Sequence, residues 1–519
     1  MAIQFNLGPP NVKFSHKVMK NLIALLMMFI LVFSIFVLST LSSSLSLDKQ
    51  SAFAQPAQQK QNVPLKISPE LTVTINSGNK PGTDSFNLTN GYKIEPILWN
   101  LTLPSAVDVD EKGNIYIAES GYAPGGLETF PRIFKVNTNG TISTLVDRVL
   151  YPPITDIQYH GGILYVSNRG KITAVDATTG EPLDLIMGVR NQGDYRTNQI
   201  AFGPDGRLYF GQGAATNSGV IGEDNYEWFR IMPSYYGVVP FYDVPGQNIT
   251  LTGQNFESSN MFTPVDPSDS ATTGAFVPYG NITTKGQNIT GDPRCTACIL
   301  SANPDGTDLK VVAWGLRNPY GLAFDSNNKL IVSVDGADER GNRPIANDED
   351  KVYSIDVLNS TSSNSSKFYG WPDYFGNGEP VTSGKFQSNS SSQPLQFLMQ
   401  NHPSVEKPLA LVGLNATVTQ MAMSNNSNFG FKGSMFIGEF GSVWYSPFGS
   451  IGVPSPSATT SSTFKQQQAS AASNTTMAAA AAAPSNITAE GGGNVTNGIN
   501  NNTAITNTTR VAANNTDAA

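Results

Sequence analysis

Few side chains in this sequence are set up for chemistry by local spacing alone. Asp108-x-Asp110-x-Lys112-Gly113, with Glu119 six residues on, comes close to a calcium-binding EF-hand loop. Lys112 sits at a ligand position and the flanks alternate like strands, so the segment is expected to be a hairpin turn. Gly211-x-Gly213 lacks the third glycine and the strand–helix context of a dinucleotide site and is expected to be a loop. Cys295-Thr-Ala-Cys298 cannot complete a tetrahedral zinc site alone, and no histidine follows for haem attachment. In an oxidising exterior the pair is expected to form a local disulfide instead of a redox motif. Of the three histidines, His16 precedes an apolar run, His160 falls in a turn, and His402 is expected to cap a loop. Walker A, H-E-x-x-H and G-x-S-x-G patterns are absent from the chain.

The elements that must position any site are strands. One pattern recurs: a period-2 apolar run, a turn with Gly, Asp or Asn, and a second period-2 run. It occurs at Ala106–Ala118, Asp156–Asn168, Gln199–Phe210 and Gly321–Ser333, and more weakly at Gln420–Gly438. Each copy reads as a β-hairpin. Hairpins of one type along the whole chain predict an all-β fold, a β-propeller, in which neighbouring sheets cover each other's faces. A β-sandwich is the alternative, and the uniform repeat speaks against it. Long insertions between the third, fourth and fifth copies are expected on the rim, where propellers usually bind ligands.

Composition divides the chain into residues 1–60, a folded region of about 65–450, and a tail of 452–519. Lys13, Lys17 and Lys20 precede the apolar run Leu22–Leu38, and Ala52-Phe53-Ala54-Gln55 offers a cleavage pattern. The segment is either a removable signal peptide or a membrane anchor, and both place the folded region outside the cytoplasm. Sequons beginning at Asn87, Asn100, Asn139, Asn248, Asn281, Asn288, Asn359, Asn415 and Asn474 fit an exported, glycosylated surface. The tail is rich in Ser, Thr, Ala and Asn and lacks apolar bulk, so disorder or a glycosylated stalk is expected. A net charge of −8 with no basic block excludes a nucleic-acid footprint and suits a neutral substrate.

Gly315-Leu-Arg-Asn-Pro-Tyr-Gly321, Gly336-Ala-Asp-Glu-Arg-Gly-Asn-Arg-Pro344 and Tyr369-Gly-Trp-Pro-Asp373 follow one another in the middle of the chain. With Phe202-Gly-Pro-Asp-Gly206, Gly430-Phe-x-Gly433 and Phe436-Ile-Gly-Glu-Phe-Gly441, their order resembles the glucose/sorbosone dehydrogenase family over about 95–445. Members of that family are six-bladed propellers that oxidise sugars with pyrroloquinoline quinone (PQQ). The resemblance implies a carbohydrate substrate, an external electron acceptor, and a cofactor site faced by Arg317 and Asn318. A guanidinium could clamp a carboxylated quinone and stabilise charge developing on its oxygens. Alternatively, Arg317 pairs with an acid at a blade end. Trp371 either walls that site or packs a blade.

Two departures from the family pattern stand out. Tyr195 occupies the place of the family's general-base histidine, which leaves Tyr195 or the adjacent Asp194 as replacement base. A tyrosine could serve only with a depressed pKa. The last blade is missing or degenerate, so either an N-terminal strand near 70–101 helps closure or the chain is shorter than its relatives. The resemblance also implies calcium near Asp335, Asp348 and Asp350, although Lys351 stands where a further liganding acid is expected. A propeller that has lost catalysis and binds glycans or partner proteins is the second functional reading. A lactone hydrolase is a third, for which the calcium ligands cannot be assembled from the sequence.

Overall fold

A computed structural model describes residues 91–447, except 124–126, 191–192, 226–240, 264–267, 361–365, 390–393, 425–426, 430 and 440–441, together with residues 76, 79–82 and 88. The N-terminal apolar run, the cleavage pattern and the tail from Ser457 lie outside the described residues. Among those described, no helix is long and apolar enough to cross a membrane.

Antiparallel sheets of propeller-blade type follow one another along the chain. The first blade contains Pro104–Val109, Ile115–Glu119, Arg132–Val136 and Ile142–Asp147. The second contains Ile154–His160, Ile163–Asn168, Lys171–Asp176 and Pro182–Ile186. Thr197–Phe202, Leu208–Gln212, Cys298–Ala302 and Lys310–Trp314 build the third, and the short strand Lys367–Phe368 joins it in parallel. Pro319–Phe324, Leu330–Val334, Asp350–Ile355 and Ala410–Gly413 build the fourth. The fifth has three strands, Val418–Ser424, Ser434–Glu439 and Ser442–Pro447. No sixth blade occurs among the described residues; the sequence predicts a six-bladed type with its last blade missing or degenerate.

The five sequence repeats are the inner hairpins of these five blades. Asp turns close several of them: the Asp110 carboxylate accepts from the Lys112 and Asn114 backbone N–H groups, and Asp325 does the same for Asn327 and Lys329. The Asp108–Glu119 segment is therefore a hairpin, as its alternation predicts. First strands of successive blades lie side by side around the axis. Apolar residues between the sheets form the core, with Leu164, Val166 and Val175 fully buried between the first two blades and Ile331, Val352 and Ile437 between the last two.

Every inner strand shifts register near its start, between Pro104/Ala106, Ile154/Asp156, Thr197/Ile200, Pro319/Leu322 and Val418/Met421. Such bulges take backbone groups out of the ladder, and buried groups need other partners. Side chains from neighbouring blades supply them. Asp156 accepts from the Ile200 N–H (2.8 Å), and Ser167 donates to the Asn198 carbonyl (2.7 Å). Gln199 accepts from the N–H groups of both Leu322 (3.0 Å) and Met421 (2.9 Å), and donates to the Met421 carbonyl (2.9 Å). Blade four carries Gly321 at the equivalent position, which lets one glutamine reach two blades. Gln420 then spans the axis to the Thr155 carbonyl (3.0 Å) and the Asp156 carboxylate (2.9 Å). These bonds tie blades two to five together across the channel.

Closure near the fifth blade uses the segment before blade one. Tyr92 donates its hydroxyl to the Phe429 carbonyl and packs on the rings of Phe429 and Phe431. Residues 91–101 form no strand, against the expectation of an N-terminal strand near 70–101; the contact made there is the docking of Tyr92.

Candidate active site

Inner strands begin, and second strands end, at one end of the axis. Four segments therefore meet there: the entries to the inner strands of blades three and four, and the loops that follow their second strands. Asp194–Arg196 and Arg317–Asn318 lie on the entries. Residues 213–225 and 335–349 lie on the loops.

Glycine makes the meeting possible. A Cβ on Gly213 would stand 2.2 Å from the Tyr195 Cβ and 2.7 Å from the Asn318 Oδ1, while one on Gly211 would stand 2.0 Å from the Pro319 carbonyl oxygen. The Gly211-x-Gly213 pair is thus a close-approach device at the end of a strand, not part of a dinucleotide loop.

Arg317 is buried, and all of its nitrogens are engaged. Its Nε and Nη2 donate to the Asn217 carbonyl (3.1 Å) and Oδ1 (2.7 Å), Nη1 donates to the Gly336 carbonyl, and Nη2 also meets Asp338 Oδ2 at 2.7 Å. The guanidinium carbon lies 4.6 Å from the centre of the Tyr195 ring, a cation–π contact. Arg317 thus faces the Tyr195 ring and also pairs with an acid, Asp338. Asn318, also buried, donates to Asp335 Oδ2 (2.6 Å) and accepts from Asn198 (2.8 Å). Trp371 is buried, donates its indole N–H to the Asn217 carbonyl (3.1 Å) and meets Phe276 edge-on. It packs behind Asn217.

Neither replacement base has the properties expected of it. Burial pushes the Tyr195 phenol far up; Asp338 and Asp194 add to that, against the pull of Arg317 and Arg340. A general base needs the opposite shift, so Tyr195 is held in its protonated form. Asp194 is held by other groups: its buried carboxylate accepts from Asn225 (2.8 Å) and from Arg340 Nη2 (2.7 Å).

The acidic trio does not gather around one point. Asp348 accepts from Lys351 Nζ (2.6 Å) and from the N–H groups of Gly376 (2.7 Å) and Ala337 (2.6 Å), so it is a structural anchor. Lys351, read as a missing ligand, is its partner. Asp335 and Asp350 do sit close together. Burial, then Asp350, holds the Asp335 carboxyl well above the usual range, and burial raises Asp350. Asp335 Oδ1 is buried without a hydrogen-bond partner. Among the described residues, no three His, Cys, Asp or Glu side chains form a metal-binding group. Cys295 and Cys298 are joined in a disulfide at the edge of blade three.

Several functional-looking residues have no local signature in the sequence. Arg340 is a hub for three carboxylates: Nη2 meets Asp194, Nη1 meets Asp224, and Nε meets Asp338 at 3.1 Å. Burial and then Asp194 push Asp224 up to about 6, against Arg340. Asp338 lies below the usual range because Arg317 and Arg340 outweigh its burial. Asp243, beneath the 214–216 turn, is driven to about 6 by burial despite hydrogen bonds from Thr216, Thr296 and Ala215. Asp338 and Arg340 fall inside the Gly336–Pro344 motif, which was the available signal; Asn217 and Asp224 follow the glycine pair with no motif of their own. His402 lies away from this cluster, bonded to Asp373 (2.9 Å), which a buried Arg343 also holds (3.0 Å).

No protein-family model and no curated protein matches the chain. Solved structures similar to it include PQQ-dependent sugar dehydrogenases. The PQQ domain of pyranose dehydrogenase from Coprinopsis cinerea is 15% identical with a TM-score of 0.41, over 68% of this chain and 75% of that one. PQQ-bound aldose sugar dehydrogenase from Streptomyces coelicolor is 15% identical with a TM-score of 0.38, over 69% and 80%. A calcium structure of a Trichoderma reesei family AA12 carbohydrate-active enzyme is 13% identical with a TM-score of 0.40, over 68% and 76%.

Proposed function

We propose that this chain is a PQQ-dependent, sugar-dehydrogenase-like oxidoreductase that oxidises a carbohydrate hydroxyl and passes the electrons to an external acceptor. The carrying observation is the buried Arg317 guanidinium under the Tyr195 ring at the mouth of the propeller, held by Asn217 and Asp338. A bound quinone would supply the two-electron acceptor.

The donor set fits such a group. Hydrogen bonds among the described residues use four of the five N–H groups of Arg317 and three of those of Arg340. The remaining donors suit carboxylate and quinone oxygens. The unpartnered Asp335 Oδ1 suits a hard cation such as calcium, which would offset the negative charge of a carboxylated quinone beside so many aspartates. Arg317 and Asn318 would hold the cofactor, and the protonated Tyr195 would donate a hydrogen bond. We further infer that the protein works outside the cytoplasm, supported by the N-terminal lysines and apolar run and by the disulfide.

Titrating the purified chain with PQQ and calcium, while following the quinone absorbance, tests the reading. Micromolar or tighter binding, followed by bleaching of the quinone on addition of an aldose, is expected. Binding without bleaching would leave a cofactor-holding propeller without catalysis. No binding would remove the enzyme reading.

A further inference from the structure

We propose that the Asp224 carboxylate is the proton acceptor for the substrate hydroxyl. The proposal rests on the sugar-oxidation reading above and assigns the one role for which that reading has no residue. His402 and His160 lie elsewhere, bonded to Asp373 and stacked on Phe202. Tyr195 keeps its proton. Asp335 is taken up by Asn318 and lies beside Asp350, where the reading above puts a cation; three other mouth carboxylates are bound to Arg340, and their surroundings differ. Asp194 is 1% exposed, with both oxygens accepting hydrogen bonds. Asp338 is open to solvent, but one oxygen is clamped by both Arg317 and Arg340, which makes it a weak base. Asp224 is 13% exposed and meets Arg340 through Oδ2 alone.

The surroundings of Asp224 are built to leave that carboxylate room. A Cβ on Gly222 would come within 2.8 Å of Oδ1, and one on Gly341 within 2.6 Å. Gly341 is also left-handed, at φ +76°, so a side chain is excluded there twice over. Asp224 faces Arg340 from the blade-four loop and Asp194 from the entry to blade three; Asp338 lies beyond Arg340, and Glu223 beside it is exposed. Arg340 fixes the orientation of the carboxylate without burying it. The burial and the neighbouring Asp194 that raise its proton affinity to about 6 place it where a base working near neutral pH is most effective.

The step balances. The hydroxyl proton passes to an Asp224 oxygen, the carbinol carbon gives up its hydride to an ortho-quinone oxidant, and the C–O single bond becomes a carbonyl. Asp224 then returns the proton to water.

The test uses the full chain with Asp224→Asn and Asp224→Glu. Asp224→Asn is expected to bind PQQ within about tenfold of the native affinity yet lose about a hundredfold or more in kcat, as removal of a general base does. Native kcat/KM should rise with pH through about 6, whereas the Asn variant should be flat over that range. Asp224→Glu should recover part of the rate with a moved midpoint. A readout on the unloaded protein is independent of turnover: in infrared titration of carboxyl bands, native protein should show a carboxyl titrating near pH 6 that is absent from the Asn variant. An Asn variant that oxidises sugar at the native rate, or whose carboxyl titration near pH 6 is unchanged, overturns the assignment and leaves the sugar-oxidation reading standing. Should the Asn variant fail to fold, Asp224→Glu decides by its pH midpoint, and an unmoved midpoint overturns the proposal. Native protein that binds no quinone, or reduces none, removes both.

Discussion

The ring of inner strands and the mouth above it are both buried and polar, yet only one of them is at rest. Around the axis, bulged groups of blades two to five meet complementary side chains: Gln199 offers its oxygen to two N–H groups and its nitrogen to a carbonyl, and Gln420 meets Thr155 and Asp156. The exception in the blade-one bulge is the Ser105 hydroxyl, which is buried without a partner. At the mouth, aspartates crowd two guanidiniums, Asp224 and Asp335 are pushed toward protonation, and Asp335 Oδ1 has no partner. Satisfied polar networks specify a fold, whereas like charges held together are found where a ligand or proton is expected.

The strongest way to break this contrast is at Arg317, which anchors the mouth. Arg317→Ala would orphan the Asn217 carbonyl and amide oxygens and the Gly336 carbonyl, and would leave Asp338 with one guanidinium fewer. A loss of about 3–5 kcal/mol in urea unfolding is expected, together with loss of PQQ binding. Gln199→Ala comes next. It strands the N–H groups of Leu322 and Met421, at about 1–3 kcal/mol each, but touches nothing at the mouth. Stability should fall by about 2–4 kcal/mol while PQQ affinity stays within error. Lost binding at unchanged stability would mean that the ring, too, is functional.

The third test reads the mouth through pH. Asp224 and Asp243 have folded pKa values near 6, raised above the unfolded value of about 3.9. Protonated, they contribute stability that is fully present below about pH 4 and lost as pH rises through 6. Asp110 and Asp338, held low in the fold, act in the opposite sense and lose their contribution as pH falls below 4. Melting should therefore be highest near pH 4, fall by on the order of 5 kcal/mol as pH rises from about 4 to about 6, and level off above that. A profile rising steadily to pH 8 would show that the mouth carboxylates are not strained.

What could be read from the sequence follows the same division. The five inner hairpins are legible because strand alternation and turn residues are local properties, and Arg317-Asn318 is legible as part of a local motif. The partnerships that make the site are not local. Arg340 meets Asp194 and Asp224 across more than a hundred residues, and Asn217 meets Arg317 across a hundred. Spacing carries no information at that range. Asp348 misled for a related reason: residue type announces an oxygen donor, but only the fold reveals that Lys351 and two backbone N–H groups already occupy it.

The smallest effect tests whether the ring's self-sufficiency extends to its weakest side, where blade five has three strands and the chain before blade one lies against it. Tyr92 makes one hydrogen bond there, to the Phe429 carbonyl, and its ring packs on Phe429 and Phe431. Tyr92→Phe keeps the ring and removes the bond, so about 1 kcal/mol should be lost, with PQQ binding unchanged. Tyr92→Ala removes both, and faster hydrogen exchange in Val418–Ser424 and Ser434–Glu439 than in the inner strands of blades two to four is the expected signature. Uniform acceleration around the ring would instead mean that the five blades open as one unit. In that case the cross-axis reach of Gln420 to blade two, and not the docking of Tyr92, holds the fifth blade in place.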